Sequence, residues 1–169
     1  ITLSFWVKLS NLSDEAFILS HGSWEERWKV SVIPDGRLRW TVKTNAGTID
    51  LDSTFPLELN QFYHFAVVYT GYSMELYVDG ELDNFITHSG LMGTTSKSLT
   101  FGRKDEGESK YFLRGTLDEV RIYNASLLPD DISTLISTWN LITGVEGTHE
   151  IITIYPNPSN STFYISGIA

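Results

Sequence analysis

The chain of 169 residues contains no cysteine. This absence excludes disulfide bridges, thiolate metal sites and a cysteine nucleophile, although it does not identify a compartment, because many secreted bacterial proteins also lack cysteine. The four histidines are scattered without the spacing of zinc ligands. The sequence also lacks a Ser/His/Asp arrangement, a phosphate-binding loop and a redox motif, so it offers little support for catalysis.

Positive charge is scarce as well. Twelve Lys and Arg stand against 21 Asp and Glu, which gives a formal net charge of -9, and no Lys/Arg cluster interrupts the acidity. A polyphosphate backbone would be repelled, so we expect no nucleic acid partner. No apolar run approaches the roughly 20 residues that span a bilayer, so we expect no membrane insertion. Position 1 is not Met and already falls within an expected strand, which predicts a piece of a longer protein.

What the sequence has in abundance is alternation of apolar and polar residues, the period of a strand with one buried face. Two pairs of alternating segments are joined by turn sequences, Pro34 to Gly36 and Asp79 to Gly80, which predict hairpins. Many short strands with Gly, Asp and Asn between them predict an all-β fold, an antiparallel β-sandwich of the jelly-roll type. The predicted strands are 2–9, 28–32, 37–43, 48–52, 63–69, 74–78, 99–102 and 111–123.

One short helix is predicted near the C-terminal end of this series. It begins near Pro129, with Asp130 and Asp131 in the first turn, where the helix dipole favours negative charge. Four apolar residues then follow at helical spacing, and we expect their stripe to seal one edge of the sandwich. They are Ile132, Leu135, Ile136 and Trp139.

The last long strand carries an acid in its apolar register. Counting by two from Gly115 to Asn124 places Asp118, Val120 and Ile122 on one face. A carboxylate on the buried side is costly unless a cation or hydrogen bonds neutralise it. We therefore expect Asp118 to bind a metal, to pair with an arginine such as Arg114, or to accept backbone N–H groups.

This closing strand resembles that of the laminin-G-like, concanavalin A-like jelly-roll domains. The opening segment 2–8, the central hairpin 63–80 and the segment 99–103 resemble the family in the same order, so the resemblance covers residues 1–142. In many relatives the acid that matches Asp118 helps to bind a structural Ca²⁺ between the sheets. The resemblance therefore implies a calcium site at Asp118, completed by backbone carbonyls of the first strand or of the 104–110 loop.

A linker, 143–150, separates this domain from a different C-terminal segment. Residues 151–169, with Tyr155-Pro-Asn-Pro158, resemble the truncated start of the C-terminal sorting domain of type IX secretion substrates. The resemblance implies a secreted or cell-surface protein that engages the type IX secretion machinery. The alternative is an extended, proline-rich spacer with no sorting function.

The acidic residues do not form the strand pattern of a jelly-roll glycan hydrolase, in which a retaining enzyme needs two carboxyls about 5 to 5.5 Å apart. Asp50 and Asp52 share one strand face, but a solvated polar face explains them as well, and Glu81 and Asp83 lack a third acid. We therefore predict that the domain is not an enzyme, with a glycan hydrolase as the least favoured alternative.

The segment from His21 to Trp28 has the composition of a sugar site, with aromatic, acidic and basic side chains close together. We expect Trp24 to stack on a ligand and His21, Glu25 and Arg27 to assist it, unless Trp24 instead folds back as a lid over the sandwich. Tyr77, outward by register, is a further candidate, as is the acidic loop 104–110.

These features favour a non-catalytic recognition module that binds an extracellular glycan or surface protein through edge loops. A structural spacer without a specific ligand is the alternative, because this fold serves many unrelated functions.

Overall fold

The computed structural model describes residues 1–107 and 109–140. The predicted linker 143–150 and the segment 151–169 lie outside the described residues. Ten strands and two helices follow one another in this described part of the chain. They are β1 (Thr2–Leu9), β2 (Ala16–His21), α1 (Ser23–Glu26), β3 (Trp28–Val32), β4 (Arg37–Thr44), β5 (Gly47–Pro56), β6 (Phe62–Tyr69), β7 (Ser73–Val78), β8 (Glu81–Thr87), β9 (Leu99–Phe101), β10 (Gly115–Tyr123) and α2 (Pro129–Asn140).

The strands form two five-stranded sheets, which pack face to face. The first sheet has the order β10-β1-β6-β7-β8 and the second the order β5-β4-β3-β2-β9. All strand pairings within the sheets are antiparallel. The predicted fold class, an antiparallel β-sandwich with one short C-terminal helix, is confirmed.

The core consists of the alternating apolar residues of both sheets. Leu3, Phe5 and Val7 of β1 are fully buried, as are Trp28 of β3 and Trp40 of β4, whose ring centroids lie 5.9 Å apart. The intervening side chains of each strand lie on the outer faces, which are the faces turned away from the other sheet. Alternation therefore decides which residues form the core and which remain on the two outer faces.

Both predicted hairpins are present. The turn after β3 contains Gly36 at φ 90°, and the turn between β7 and β8 contains Asp79 at φ 47° and Gly80 at φ 89°. Two successive residues with positive φ match the right-handed twist of a tight hairpin, and Asp followed by Gly is a favoured sequence for it.

Strand β2 is absent from the predicted series. Its sequence from Phe17 to Leu19 is a continuous apolar run without alternation, and the structure explains why. The pairing of β2 with β3 shifts register between Phe17 and Leu19, which is a β-bulge. As a result, Ile18 and Leu19 both join the core, whereas Phe17 lies opposite Ser31 on the outer face.

A second bulge corrects the predicted position of Asp118. The pairing of β10 with β1 shifts register between Ser4 and Trp6, and Glu119 adopts φ 48°. Leu117 and Val120 therefore both pack against the core, although they are three residues apart. Asp118 pairs with Trp6 on the outer face, so the prediction of an inward carboxylate is wrong, because a bulge reverses the faces between Leu117 and Val120.

Helix α2 begins at Pro129, as predicted, with its first turn closed by Asp131, whose carboxylate accepts the N–H of Leu128 at 3.2 Å. Ile132 is fully buried and packs against Ala66, Val68 and Tyr77. These residues belong to β6 and β7, so the helix covers the outer face of the first sheet and does not seal an edge of the sandwich. The side chains of Ser133, Thr134 and Ser137 bond to the helix's own backbone.

We predict that Ile132→Ala lowers the free energy of unfolding by about 2 to 5 kcal/mol, because a buried isoleucine loses its contacts with the sheet. Urea denaturation measures the change. The matched control Ser137→Ala alters an exposed position of the same helix and is expected to change stability by less than about 0.5 kcal/mol. Equal effects of the two substitutions would contradict the placement of the helix.

His64 lies on the outer face of the first sheet, yet its side chain is almost completely buried. Its Nε2 lies 2.9 Å from the Oγ of Ser4, and its ring meets the indole of Trp6 edge-on at 5.3 Å. Burial, followed by the nearby Arg121 guanidinium, lowers the pKa of His64 from its ordinary 6.5 to about 4. The folded protein therefore holds this imidazole neutral.

Because the pKa of His64 is lower in the folded state, the unfolded chain binds the proton more readily as the pH falls below 6.5. We predict that protonation of His64 in the unfolded chain lowers the free energy of unfolding by about 3 kcal/mol as the pH falls from 6.5 to 4. His64→Gln is expected to flatten the pH dependence of the unfolding free energy over this window. An unchanged slope in that variant would contradict the assignment.

Candidate ligand-binding surface

The structure divides the predicted cluster between His21 and Trp28 into two groups. Helix α1 turns the chain between β2 and β3. It follows Gly22 and begins at Ser23, and both residues have positive φ, 71° and 55°. Trp24 and Glu25 extend over the outer face of the second sheet. His21 and Arg27 lie at the other side of this turn, at one end of the sandwich core.

His21 and Arg27 contact each other. A guanidinium nitrogen of Arg27 lies 2.8 Å from Nδ1 of His21, and the imidazole meets the indole of Trp28 edge-on at 5.8 Å. Burial, with a further contribution from the Arg27 guanidinium, lowers the pKa of His21. In the register of β2, His21 pairs with Trp28 and with Leu99, both of which contact the core. These two side chains are therefore separated from Trp24 and stabilise the sheet end.

Trp24 belongs to a row of three aromatic side chains on the outer face of the second sheet. Its ring centroid lies 6.0 Å from that of Phe17, and the Phe17 ring lies 5.7 Å from that of Tyr111. Phe17 has no exposed surface, whereas Trp24 and Tyr111 are partly exposed. We call Trp24, Phe17 and Tyr111 the aromatic row; its two ends are accessible and its centre is covered.

Two lysines accompany the aromatic row. The Lys104 ammonium lies 4.4 Å from the Trp24 ring centroid, and it is 3.6 Å from a carboxylate oxygen of Glu25. The Lys29 ammonium lies 4.8 Å from the Phe17 ring and 5.6 Å from the Trp24 ring. Such contacts are attractive because a cation faces the negative side of the ring quadrupole. Two candidate binding elements from the sequence, the loop 104–110 and Trp24, therefore contact each other through Lys104.

Lys29 is only 4% exposed and is neutralised locally. Its ammonium donates to a carboxylate oxygen of Glu15 and, at 2.8 Å, to the hydroxyl of Ser31, which itself donates to Glu15 at 2.7 Å. Burial lowers the pKa of Lys29, and the Glu15 carboxylate opposes that effect. A buried charge held by two partners is a fixed polar group, which is the kind of group that orients a ligand.

A cavity of about 340 Å³ adjoins the aromatic row. Tyr111 and Glu15 belong to its wall, so the row and the buried charge network both reach it. The volume falls within the range of small-molecule sites. Further polar groups of the wall are Asn11, Ser13, Asp14, Lys110 and Arg114. The cavity offers hydroxyl, amide, acidic and basic groups beside an aromatic surface.

Asp50 and Asp52, the adjacent acids of β5, are bound by arginine. Asp52 makes a two-pronged ion pair with Arg39, at 2.7 and 2.8 Å. Asp50 lies 3.3 Å from the same guanidinium and accepts the hydroxyl of Thr41 at 2.6 Å. Both carboxylates therefore have cationic partners and form a salt-bridge network on the sheet surface.

Tyr77 lies on the opposite side of the molecule, on the outer face of the first sheet. Its outward register is confirmed, but the ring is 3% exposed because Ile132 of α2 covers it. Its hydroxyl donates to Glu75 at 2.7 Å, and burial, followed by this bond, raises the pKa of Tyr77. Tyr77 does not contribute to the surface around Trp24.

Asp118 accepts the backbone N–H of its neighbour Glu119 at 2.8 Å. Glu119 in turn pairs with Arg121 at 2.6 Å. Within residues 1–107 and 109–140, no group of three or more His, Asp or Glu side chains is placed to hold a metal ion. The calcium site stays a prediction that rests on the resemblance and on backbone carbonyl ligands.

Phe17, Tyr111 and Glu15 also belong to this surface, although no sequence pattern indicated them as ligand contacts. Phe17 lies in a run with no alternation, and only the bulge turns it outward. Tyr111 was predicted to begin the strand 111–123, but β10 begins only at Gly115, so the alternation predicted for Tyr111 does not apply. Glu15 lies in an irregular segment, where no period indicates a face. Lys29 was recognisable as an outward residue of β3, but its neighbours across the sheet were not.

Two five-stranded sheets with a polar and aromatic outer surface define a domain of the concanavalin A-like class. The chain belongs to the concanavalin A-like lectin/glucanases superfamily, whose Laminin_G_3 family matches residues 1–133. This match confirms the resemblance to laminin-G-like domains over most of the predicted span 1–142. No curated protein matches the chain.

Solved structures share the fold at low sequence identity. A native heptameric pentraxin from Limulus polyphemus is 21% identical, with a TM-score of 0.62, over 80% of this chain and 68% of that one. Domain 4 of the arabinanase AbnA from Geobacillus stearothermophilus, in complex with arabinotriose, is 20% identical, with a TM-score of 0.63, over 80% and 65%. The binding domain of Paraclostridial Mosquitocidal Protein 1 is 21% identical, with a TM-score of 0.65, over 82% and 37%. This chain thus spans less than two thirds of the last two.

Among the described residues, neither helix has the length and apolar character needed to cross a membrane.

The calcium hypothesis predicts that EDTA lowers the melting temperature of the chain and that added Ca²⁺ restores it, since a bound ion stabilises the folded state. Differential scanning calorimetry measures both shifts. Asp118→Asn is expected to remove the response to either addition. If neither EDTA nor Ca²⁺ changes the melting temperature, the calcium site is ruled out.

Proposed function

We propose that this domain is a non-catalytic recognition module that binds an extracellular glycan on the outer face of the second sheet. The supporting observation is the aromatic row, which leads from Trp24 to Tyr111 and into the cavity of about 340 Å³. Aromatic rings stack on the apolar face of a sugar, while charged and amide groups bond its hydroxyls. The site is a sheet surface with an adjoining cavity, not an edge loop alone.

The polar groups around the row suit a ligand rich in hydroxyls. The Glu15 carboxylate is held by Lys29 and Ser31, so it is oriented before a ligand arrives. Pre-organised partners reduce the entropy lost on binding. In the wall of the cavity, Lys110 and Arg114 supply donors and Asp14 supplies acceptors.

The named properties of similar structures agree with this proposal. One is a domain of an extracellular arabinanase in complex with arabinotriose, and another is the binding domain of a mosquitocidal protein. At 20% and 21% identity, these similarities establish only the fold. The proposed ligand is therefore inferred from the surface residues of this chain.

A structural spacer is the second candidate. It is favoured by the position of Lys104, whose ammonium lies 4.4 Å from the Trp24 ring centroid. On that side of the ring, the ammonium occupies the place where a sugar would stack. A hydrolase has less support, because Asp50 and Asp52 are both bound by Arg39 and lack the freedom of an acid and a nucleophile.

We further propose that the protein is secreted or displayed at the cell surface, with segment 151–169 as the start of its type IX sorting signal. The support is the resemblance of Tyr155-Pro-Asn-Pro158 to such signals.

A glycan array probed with the wild-type chain and with Tyr111→Ala and Trp24→Ala tests the function. We expect binding to at least one polysaccharide, weakened about tenfold or more by each substitution, which corresponds to about 1.4 kcal/mol. Isothermal titration with the best ligand measures the change, and circular dichroism confirms folding.

The matched control is Tyr72→Ala. Tyr72 is 76% exposed and lies in the turn between β6 and β7 of the other sheet, so its loss is expected to leave binding unchanged. Absence of binding to every glycan would support the spacer instead, and equal losses in all three variants would contradict the placement of the site on the aromatic row.

A further inference from the structure

A second groove, of about 350 Å³, lies on the outer face of the first sheet, on the opposite side of the sandwich from the aromatic row. Strands β7 and β8 form its floor, and the segment from Ser126 to Pro129, just before α2, forms its wall. The groove is independent of the proposed glycan site, because the two share no residue.

The floor consists of two facing rows. Glu75 of β7 pairs directly with Phe85 of β8, and Tyr77 pairs with Leu82. Directly opposed residues of an antiparallel pair have Cβ atoms about 4.5 to 5.5 Å apart. The row along β7 therefore carries the Glu75 carboxylate and the Tyr77 hydroxyl, whereas the row along β8 is apolar, and Glu75 lies directly opposite Phe85.

Neutral hydroxyl groups fix the Glu75 carboxylate. Tyr77 donates to one oxygen at 2.7 Å, and Ser73 donates to the other at 3.2 Å. No Lys, Arg or His among the described residues forms an ion pair with Glu75, in contrast to Glu15, Asp50 and Asp52. Each carboxylate oxygen can accept more than one hydrogen bond, so acceptor capacity and negative charge both remain for a ligand.

The apolar groups of the groove are unusually exposed. Phe85 is 62% exposed, Leu82 51% and Leu128 67%. A single exposed apolar side chain is ordinary on a protein surface, but these three line one groove. The apolar part of a ligand would be buried from water against these three side chains.

The wall of the groove is held in place. The buried hydroxyl of Thr2 donates to the carbonyl of Ala125 and accepts the N–H of Leu127, both at 2.9 Å. Leu127 also packs against the small cluster of Ala66, Val68 and Ile132. The groove therefore exists before a ligand binds, which lowers the cost of binding.

We propose that this groove binds a small organic cation that carries a protonated amine on an apolar body. The ammonium would bind to the Glu75 carboxylate and face the adjacent Phe85 ring, while Leu82 and Leu128 contact the apolar part. A cation within about 6 Å of an aromatic centroid is attracted by the ring quadrupole. Its hydrogen bond to a carboxylate is a separate attraction, and a stronger one than a hydrogen bond between neutral groups. The net charge of -9 favours the approach of a cation.

The test is an NMR titration of the full 169-residue chain with 2-phenylethylamine and with its uncharged counterpart 2-phenylethanol. We expect the amine to bind at least about tenfold more tightly than the alcohol, with shifted signals at residues of β7, β8 and 126–129. Added salt is expected to weaken the amine and to leave the alcohol unaffected, because screening acts on the charged pair.

Two variants locate the interaction. Glu75→Gln retains the shape of the side chain and is expected to reduce the affinity for the amine to that for the alcohol. Phe85→Ala is expected to weaken both probes, and the Tyr72→Ala control is expected to change neither. Unperturbed spectra elsewhere confirm that each variant is folded.

Equal binding of amine and alcohol to the wild type, unchanged affinity in Glu75→Gln, or shifts centred on Trp24 would each overturn the proposal. The Trp24→Ala variant separates this site from the glycan site, since we expect it to bind the amine as the wild type does.

Discussion

The apolar faces of the two sheets must cover each other, and most other features of the domain depend on that burial. Trp28 and Trp40 from the second sheet and Phe5 from the first are removed from water in the same core. Burial of such large side chains is a principal source of stability. Because side chains alternate along a strand, burying one face presents the other to solvent, to the helix or to a ligand.

The two outer faces have different chemistry. The second sheet presents ion pairs and rings, with Lys29 bound by Glu15 beneath the aromatic row. In the first sheet, Ile132 of α2 covers the area around Ala66, Val68 and Tyr77, and the groove beside the helix combines Glu75 with exposed apolar residues. A sandwich therefore provides two separate surfaces on one core, and each surface is able to acquire its own ligand.

Two bulges account for the main differences between the predicted and the observed arrangement. Alternation correctly predicted both sheets' inward residues on regular strands, including β1, β3 and β4. At Phe17 and at Glu119 an extra residue reverses the faces, so Phe17 turns outward and Asp118 leaves the apolar side. A bulge depends on how two distant strands pair, and this information is absent from a local pattern.

The sequence by itself determined the fold class, the hairpins and helix α2, because turn chemistry and the periods of two and 3.6 act between near neighbours. It also indicated Trp24 and the loop 104–110 as candidate ligand contacts. Only the tertiary structure decided that these two meet, that His21 and Arg27 lie elsewhere, and that Glu75 faces Phe85 in a groove. Those contacts join residues far apart in the chain, and strand pairing and packing of the whole core bring them together.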